Sequence, residues 1–335
     1  MKVLEYNKSK ILPEISIISV TYNSFEFLHK LLDSIYKQDI INRCELIISD
    51  DASTDGTANL LKELMINSPC YSKIILRKKN VGAVENWVKT LDHARGKFIA
   101  YIDGDDYFNS SRKLSNDLDT INQEANNNFV FSPAYKFKAN KITSESRNKY
   151  KNWNPKDIDL RWVLTTGGGF YPTSSIFFKK SLLSNLPKWF LTTHCTGDLP
   201  LAAAAILNGG RICYRPGAET IYRVHDKSMT HNRHSVFITF RSNLRKKYQN
   251  CEYYRLLATN GYIDDALSKE LINKEEYIFF SKLLDVGAYD YCLKHSIKKL
   301  SIKYLARLYL KFIWILTNKL FNNLYKYFKR SNKSD

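Results

Sequence analysis

Three aspartates, Asp103, Asp105 and Asp106, stand where a strand is expected to end. The apolar run from Phe98 to Ile102 that precedes them is typical of a buried strand. Closely spaced carboxylates repel one another unless a cation shares their site. Mg²⁺ and Mn²⁺ prefer such oxygen ligands, usually beside substrate phosphates. Acid-rich turns also cap helices, so these residues alone leave a metal site and a helix cap both open.

The elements around these acids alternate between strand and helix. Apolar, β-branched runs predict strands at 15–21, 45–49, 73–77 and 97–102, and helical spacing predicts helices at 25–36, 57–67 and 80–94. Such alternation predicts an α/β fold in which right-handed crossovers join a parallel sheet with helices on both faces.

Polar residues follow three of these strands. The groups are Thr21, Tyr22 and Asn23 after the first strand, Asp50 and Asp51 after the second, and Asp103 and Asp105 after the fourth. The carboxyl ends of parallel strands share one edge, where open sheets bind ligands. We therefore expect these groups to converge, although turn capping would account for many of them.

Length, net charge, cysteine content and the lengths of apolar runs limit the classes of protein to which this chain can belong. The chain has 335 residues and a net charge of +18, which indicates an anionic partner such as nucleic acid, an acidic membrane surface or a phosphorylated ligand. Six cysteines without a CxxC pair argue against a zinc site and fit a reducing compartment. Residues 1–13 lack the long apolar core that is typical of a signal peptide, and no run approaches the ~20 apolar residues of a spanning helix.

Three segments, in this order and spacing, resemble the signature of glycosyltransferase family 2. They are residues 17–23, residues 50–57 and residues 94–106. The resemblance covers about residues 13–226 and implies a GT-A fold, which is Rossmann-like with a mostly parallel sheet, in a catalytic domain at 13–230. It also implies a nucleotide-sugar donor and Mn²⁺ or Mg²⁺. Where many members carry Ala-Arg-Asn ahead of the metal motif, this chain has Val-Glu-Asn at 84–86.

The resemblance implies a nucleotide-sugar site built from the strand ends. Thr21 and Tyr22, with the adjacent Asn23, would border the nucleotide base. Asp51 would accept a hydrogen bond from the base, which suits the ring N–H of uracil or thymine and also allows guanine. Asp103 would contact the base or ribose.

The resemblance also implies a metal site. Asp105 would bind the metal through the diphosphate, and His225 would complete the metal shell. Arg223, in the same Tyr-Arg-x-His setting, would contact the diphosphate. Asp106 is a third metal candidate, although a cap for the helix near Ser110 is the favoured interpretation.

A glycine loop and an acid follow the metal motif. Gly167 and Gly168 let the backbone approach a ligand closely, and the resemblance places such a loop near the donor sugar; an ordinary turn is the alternative. Asp198 occupies the position of the general base in the family, while Gly197 replaces the acid that usually precedes it. An aspartate here is also typical of a helix N-cap.

From residue 231 onward the pattern predicts a helical region, with helices at 236–257, 260–273, 275–286 and 289–318. The last helix carries a basic stripe of Lys299, Lys303, Arg307 and Lys311 and an apolar face of Leu305, Leu308, Phe312, Ile315 and Leu316. A basic, aromatic, amphipathic helix suits an anionic membrane surface. The alternative is a helix packed on the catalytic domain with a solvated basic face.

These features predict a metal-dependent inverting glycosyltransferase. It would move a sugar from a nucleoside-diphosphate sugar, with UDP favoured, to a hydroxyl of a bacterial surface glycan or lipid-linked acceptor. We expect a cytoplasmic protein peripherally associated with the inner face of the cell membrane. The alternatives are a nucleotidyltransferase on a related fold and a non-catalytic nucleotide-sugar-binding or membrane adaptor protein. No nucleic-acid partner is expected, because no recognised nucleic-acid module is present.

Overall fold

The chain divides into two units, residues Met1–Asn232 and Arg233–Asp335. The sequence prediction placed this boundary between residues 230 and 231. The computed structural model describes residues 1–7, 12–139, 141–145, 158–225, 236–285, 292, 296 and 300–331.

Strands and helices alternate through most of the first unit. Its strands are β1 (Lys2–Tyr6), β2 (Ile15–Thr21), β3 (Cys44–Asp50), β4 (Tyr71–Leu76), β5 (Phe98–Asp103), β6 (Tyr107–Phe108), β7 (Asn127–Phe131), β8 (Tyr135–Lys138), β9 (Lys141–Glu145), β10 (Phe177–Lys179), β11 (Arg211–Tyr214) and β12 (Thr220–Arg223). Its α-helices are α1 (Leu28–Tyr36), α2 (Thr57–Met65), α3 (Ala83–Leu91), α4 (Lys113–Asn122), α5 (Leu160–Thr166), α6 (Trp189–Thr192) and α7 (Asp198–Leu207).

The main sheet has the strand order β1-β4-β3-β2-β5-β10-β7-β11. Strands β4, β3, β2 and β5 are mutually parallel, whereas β1 and β10 run antiparallel to their neighbours. The mostly parallel α/β sheet predicted from the sequence is confirmed, and β1 is an edge strand that the prediction missed. Because β3 and β5 lie on opposite sides of β2, the strand order reverses at β2, and ligands bind at such points in open sheets.

Burial on both faces explains why β2 and β5 are apolar runs. All seven residues of β2 are buried, as are the first five of β5. Helix α1 covers one face with Leu28, Leu31, Leu32 and Ile35, which recur at helical spacing. In the register of the sheet, Val20 pairs with Asp103 and Thr21 pairs with Asp50, so the polar strand ends begin at one level.

A second, smaller sheet has the order β6-β12-β8-β9. Strand β6 directly follows the acid motif and pairs with β12, with Ile221 opposite Tyr107. This pairing places the C-terminal end of β12 beside the acids. Strands β7 and β8 follow one another closely in the chain but lie in different sheets.

The second unit is helical in its described residues. Its long helices are α8 (Val236–Thr259), α9 (Asp265–Asp285) and α10 (Ile302–Ser331). Helix α9 continues through Lys274, where the sequence predicted a break between two helices. Helix α10 begins at Ile302, later than the predicted start at 289, which lies outside the described residues. Among the described helices, none combines the length and the apolar character that crossing a membrane requires.

The apolar face predicted for the last helix is packed inside its own unit. Leu308 is buried, and Leu305, Phe312 and Ile315 pack against a cluster centred on Phe279, Phe280, Leu283 and Leu284 of α9. Lys311, predicted in the basic stripe, donates to Ser281 O at 3.0 Å and to Asp285 Oδ2 at 2.8 Å. The predicted membrane-facing side is therefore wrong for these residues, because α9 covers it. Lys299 and the side chain of Leu316 lie outside the described part of the chain.

Candidate active site

Hydrogen bonds to the Asp50 carboxylate join the end of β2 to the end of β3 and to the turn that follows β3. Thr21 Oγ1 donates to Asp50 Oδ1 at 3.1 Å, and the Ser53 amide donates to Asp50 Oδ2 at 3.0 Å. Thr21 is buried, whereas Tyr22 is 52% exposed. Asn23 adopts a left-handed backbone with φ of 52°, and its Oδ1 accepts from the Thr54 amide at 2.9 Å. Of the three residues predicted to border a base, Tyr22 alone is largely exposed.

Asp51 fixes the start of α3. Its two carboxylate oxygens accept from the amides of Val81 and Gly82 at 2.9 and 2.8 Å. Each oxygen keeps a second lone pair, so these bonds are compatible with the predicted contact to a nucleotide base. They also show that Asp51 orients the loop ahead of α3.

A serine from a distant segment joins two of the three motif acids. The Ser174 hydroxyl lies within hydrogen-bond distance of Asp106 Oδ2 and of Asp103 Oδ2, the latter at 2.9 Å. Tyr101 donates to Asp103 Oδ1 at 2.6 Å, and the Arg223 amide donates to Asp106 Oδ1 at 2.9 Å. Asp106 is therefore not the helix cap that the sequence favoured, because its buried carboxylate binds the end of β12 instead.

Asp105 and His225 meet at the end of β12. Their Oδ2 and Nε2 atoms are 3.0 Å apart, and the two side chains are 30% and 22% exposed. The Arg223 guanidinium donates to the backbone oxygen of Asp105 at 2.9 Å and lies 4.6 Å from the centre of the Tyr107 ring. The structure brings together the two residues predicted to bind a metal, which are 120 positions apart.

The glycine loop packs directly on Asp198. A Cβ atom at Gly168 would lie 2.5 Å from Asp198 Cγ and 2.4 Å from the Leu199 nitrogen, so no side chain fits there. Gly167 has φ of +81° and nothing within 4 Å of its Cβ direction. Asp198 is the first residue of α7 rather than its N-cap, which is Gly197. Its carboxylate Oδ1 accepts a local bond from the Leu199 amide at 3.0 Å.

Close packing explains the glycine that replaces the usual acid. A Cβ atom at Gly197 would lie 2.9 Å from the buried ring of Trp87. Trp87 in turn packs edge-on against Tyr101, with ring centroids 5.8 Å apart. An acid at position 197 would need the Trp87 ring to move.

A cavity of about 330 Å³ lies in the first unit beside Asp103, Asp105 and Asp198. It is lined by Ala83, Val84, Trp87, Tyr101, Asp103, Asp105, Thr173, Ile176, Cys195, Thr196, Gly197, Asp198, Leu201 and Tyr222. Three of the predicted acids, Asp103, Asp105 and Asp198, thus share a pocket with an apolar and aromatic wall, whereas Asp51 does not line it. The other predicted site residues that do not line it are Thr21, Tyr22, Asn23, Gly167, Gly168, Arg223 and His225. The sequence reasoning missed Trp87 and Tyr101. Tyr101 was detectable, because alternate residues of a strand share a face and Tyr101 lies two positions before Asp103.

The acids raise one another's affinity for protons. Burial and the charge of Asp105 raise the pKa of Asp103 to about 6. The same two causes raise the pKa of buried Asp106 well above its ordinary value. A concentration of negative charge on a protein of net charge +18 favours binding of a cation here.

His194 shapes the loop that leads to Asp198. It is buried, and its Nδ1 accepts from the Thr196 amide at 3.1 Å. Burial lowers the pKa of His194 to about 4. The side chain is therefore neutral at physiological pH, and it holds the turn that places Thr196 and Gly197 on the cavity wall.

The donor atoms at the acid motif fit a divalent ion only in part. No group of three or more His, Cys, Asp or Glu side chains with the geometry of a metal site occurs in the described residues. Mg²⁺ and Mn²⁺ are commonly held by one or two carboxylates together with substrate phosphates and water. A partly exposed carboxylate and imidazole, Asp105 and His225, match such a ligand set with a diphosphate supplying the remaining oxygens.

Curated proteins share this sequence pattern. The chain is 27% identical over 229 residues to an uncharacterized protein of Mycobacterium tuberculosis, covering 65% of this chain and 60% of that protein. It is 29% identical over 177 residues to the GalNAc(5)-diNAcBac-PP-undecaprenol beta-1,3-glucosyltransferase of Campylobacter jejuni, covering 52% and 54%. The chain thus spans less than two thirds of the length of these relatives.

Solved structures share the fold. Residues 1–349 of S. aureus TarS superpose with a TM-score of 0.56 at 19% identity over 80% of this chain and 72% of that one. The mannosyltransferase PcManGT of Pyrobaculum calidifontis, in complex with GDP-Man and Mn²⁺, gives 0.54 at 17% identity over 90% and 85%. The model of the family described as glycosyl transferase family 2 matches residues 16–185. With that match over half of its length and a GT-A fold, the chain belongs to glycosyl transferase family 2.

Proposed function

We propose that this protein is a metal-dependent inverting glycosyltransferase. It moves a sugar from a nucleoside-diphosphate sugar to a hydroxyl of a bacterial surface glycan or lipid-linked acceptor. The observation that carries the proposal is the shared cavity, which is lined by Asp103, Asp105 and Asp198 and lies at the carboxyl end of β5.

Asp198 is the proposed general base. Its carboxylate lines the cavity, and its Oδ1 is held by the Leu199 amide. It would take the proton from the acceptor hydroxyl as that oxygen attacks the anomeric carbon from the face opposite the leaving nucleotide. Gly168 allows this placement, since any side chain there would displace Asp198.

Asp105 and His225 are the proposed metal ligands. When bound, Mn²⁺ or Mg²⁺ would offset the charge that develops on the leaving diphosphate. The remaining contributions come from the protein: Asp103 contacts the base or ribose, and Arg223 lies beside Asp105 with a guanidinium that could meet the diphosphate. Thr21, Tyr22, Asn23 and Asp51 complete the nucleotide site, and Gly167 and Gly168 border the donor sugar.

We favour a UDP-sugar as the donor. Asp51 is an acceptor suited to the ring N–H of uracil, although guanine offers a similar donor. TarS has been solved with UDP-GlcNAc and PcManGT with GDP-Man, so this fold accommodates both nucleotides. The wall formed by Trp87 and Tyr101 is placed to pack against a sugar ring.

We propose that the acceptor is membrane-associated. The relative from Campylobacter jejuni is named for an undecaprenol-linked substrate. A lipid-linked acceptor would hold the enzyme at the inner face of the cell membrane, where the basic charge of the chain is attracted to anionic lipid.

Thermal stabilisation by nucleotide sugars tests the proposal. Purified protein is heated with a panel of UDP-, GDP- and dTDP-sugars, in Mn²⁺ and in EDTA. We expect one nucleotide family to raise the unfolding temperature in Mn²⁺, because a ligand that binds only the folded state stabilises it, and to lose most of that effect in EDTA and in Asp105→Ala. No shift with any sugar would favour a non-catalytic protein, and release of pyrophosphate from a nucleoside triphosphate would favour a nucleotidyltransferase.

A further inference from the structure

Helix α10 carries a second apolar face in addition to the one that packs on α9. Ile302, Tyr309, Leu310, Ile313 and Trp314 are between 40% and 86% exposed. Together with exposed Ala306, they recur at the three- and four-residue spacing of a single helix face. We call these six residues the outer face of α10.

The outer face lies away from the packed side of the helix. The residues that contact the α9 cluster are Tyr304, Leu305, Leu308, Phe312 and Ile315, and they alternate along the chain with the outer residues. At 100° per residue the two sets point in different directions around the helix axis. Large apolar side chains that stay exposed in a contiguous row mark a site of interaction.

The charges of α10 restrict the partner. Over its 30 residues the helix carries seven Lys or Arg residues and no Asp or Glu. Lys303 and Arg307 are exposed beside the outer face, whereas Lys311 is engaged with Asp285. A second copy of the same helix would bring seven positive charges against seven more. The partner must therefore be both anionic and able to bury apolar side chains.

We propose that the outer face of α10 docks on an anionic lipid bilayer. Ile302, Leu310 and Ile313 enter the acyl boundary, and Lys303 and Arg307 remain at the level of the lipid phosphates. Tyr309 and Trp314 suit the interface because each has an apolar body and a polar tip. The helix lies in the plane of the membrane, as basic amphipathic helices do.

This inference identifies the surface behind the membrane association in the proposed function, and it rests on that part of the proposal alone. The docking residues belong to the second unit, whereas the residues proposed for sugar transfer belong to the first. Lipid binding and nucleotide-sugar binding can therefore fail separately, and the two are measured on the same preparation.

Trp314 provides the signal for the test. Full-length protein is titrated with vesicles of phosphatidylcholine alone and of phosphatidylcholine mixed with phosphatidylglycerol, with sedimentation as a second readout. We expect a blue shift of tryptophan emission and sedimentation with the anionic vesicles only, both weakened at high salt because surface charges are screened. In Trp314→Phe the blue shift disappears while sedimentation stays within about threefold of wild type, since phenylalanine keeps most of the apolar area.

Introducing negative charge on the outer face should weaken binding most. The double variant Leu310→Glu/Ile313→Glu is expected to bind anionic vesicles at least tenfold more weakly, and Lys303→Glu/Arg307→Glu at least threefold more weakly with a smaller salt dependence. Ile66→Glu is the matched control, because Ile66 is equally exposed but lies in the first unit; it should bind as wild type does. The unfolding temperature of each variant shows whether it is folded.

Three results would overturn the inference. The first is that wild-type protein does not bind anionic vesicles. The second is that a folded Leu310→Glu/Ile313→Glu variant binds them as tightly as wild type does. The third is a wild-type dimer that this double variant makes monomeric, which would assign the outer face to a second copy of the chain. Nucleotide-sugar stabilisation measured in parallel shows whether the catalytic proposal stands independently.

Discussion

The acid-lined cavity and helix α10 hold their functional residues by opposite physical means. In the cavity each acid is fixed by directional bonds: Asp103 by Tyr101 and Ser174, Asp105 by His225, and Asp198 by the Leu199 amide. In α10 the packed residues are held by non-directional apolar contact with α9, and the outer residues are held by the helix backbone alone.

This difference implies that function in the cavity depends on the exact positions of side chains, whereas binding by α10 depends on the amount of apolar area and charge. Proton transfer needs a carboxylate within hydrogen-bond reach of the acceptor hydroxyl, so the cavity should respond sharply to small displacements. Contact with a fluid surface tolerates displacement, so α10 should respond to the loss of apolar area or charge and little to fine geometry. Substitutions in the two regions test this contrast.

The largest effect is expected from Asp198→Asn. Removing the base should lower the rate of sugar transfer by ~10²–10⁴-fold, because general-base catalysis typically contributes that much. Donor binding, measured by thermal stabilisation, should change little, and Asp119→Asn on the exposed side of α4 should transfer as wild type does. Wild-type turnover by Asp198→Asn would remove Asp198 from this role.

Alanine substitutions of two leucines on α10 compare how much its two faces contribute to the free energy of unfolding. Leu308→Ala should lower the free energy of unfolding by about 2–5 kcal/mol, as deletions in packed cores do, because Leu308 is 6% exposed. Leu310→Ala, two residues away and 67% exposed, should stay within about 0.5 kcal/mol of wild type. Urea denaturation followed by circular dichroism measures both. Equal losses would mean that the outer face is packed as well.

The loop before Asp198 should make stability depend on pH. Because the pKa of His194 falls from 6.5 to about 4 on folding, its contribution is present above pH 6.5 and is lost as the pH falls through 4. A shift of this size corresponds to about 3 kcal/mol. Replacing His194 by Gln keeps an acceptor for the Thr196 amide and should flatten the acid side of the stability profile. His29→Gln, on exposed α1 surface, should leave the profile unchanged.

The smallest effect is expected at Gly197. Its φ of −83° is open to any residue, so Gly197→Ala tests the contact with Trp87 alone. Overpacking of this kind should lower the free energy of unfolding by about 1–3 kcal/mol. In a Trp87→Leu background the same change should be milder, which a double-mutant cycle measures. An additive cycle would show that the two positions do not interact.

The sequence was sufficient where local pattern and sheet topology act together. Runs such as Ile15–Thr21 identify buried strands, and parallel strands must place their carboxyl ends at one edge, so the common level of Thr21, Asp50 and Asp103 followed. Contacts between distant segments were not predictable. Ser174 meets Asp103 and Asp106 across about seventy residues, and this contact overturned the cap proposed for Asp106.

The packed side of α10 was not predictable for a related reason. Its sequence offers two apolar stripes, and periodicity alone cannot say which stripe a neighbouring helix will cover. Phe280 and Leu283 of α9 cover the stripe that contains Leu308, which leaves Leu310 and Trp314 outside. Lys311 is likewise bound to Ser281 and Asp285, a pairing that requires knowledge of where α9 ends.

The different accessibility of the cysteines allows the cavity to be probed by chemical modification. None of the six forms a disulfide, and every one except Cys195, which lines the cavity, is buried. Burial also raises the pKa of the thiols of Cys44, Cys70, Cys213, Cys251 and Cys292, and the thiolate is the reactive form. An alkylating reagent applied to the folded enzyme should therefore modify Cys195 first. The rate of that single modification, followed by intact-mass spectrometry, would report directly on whether a substrate occupies the cavity.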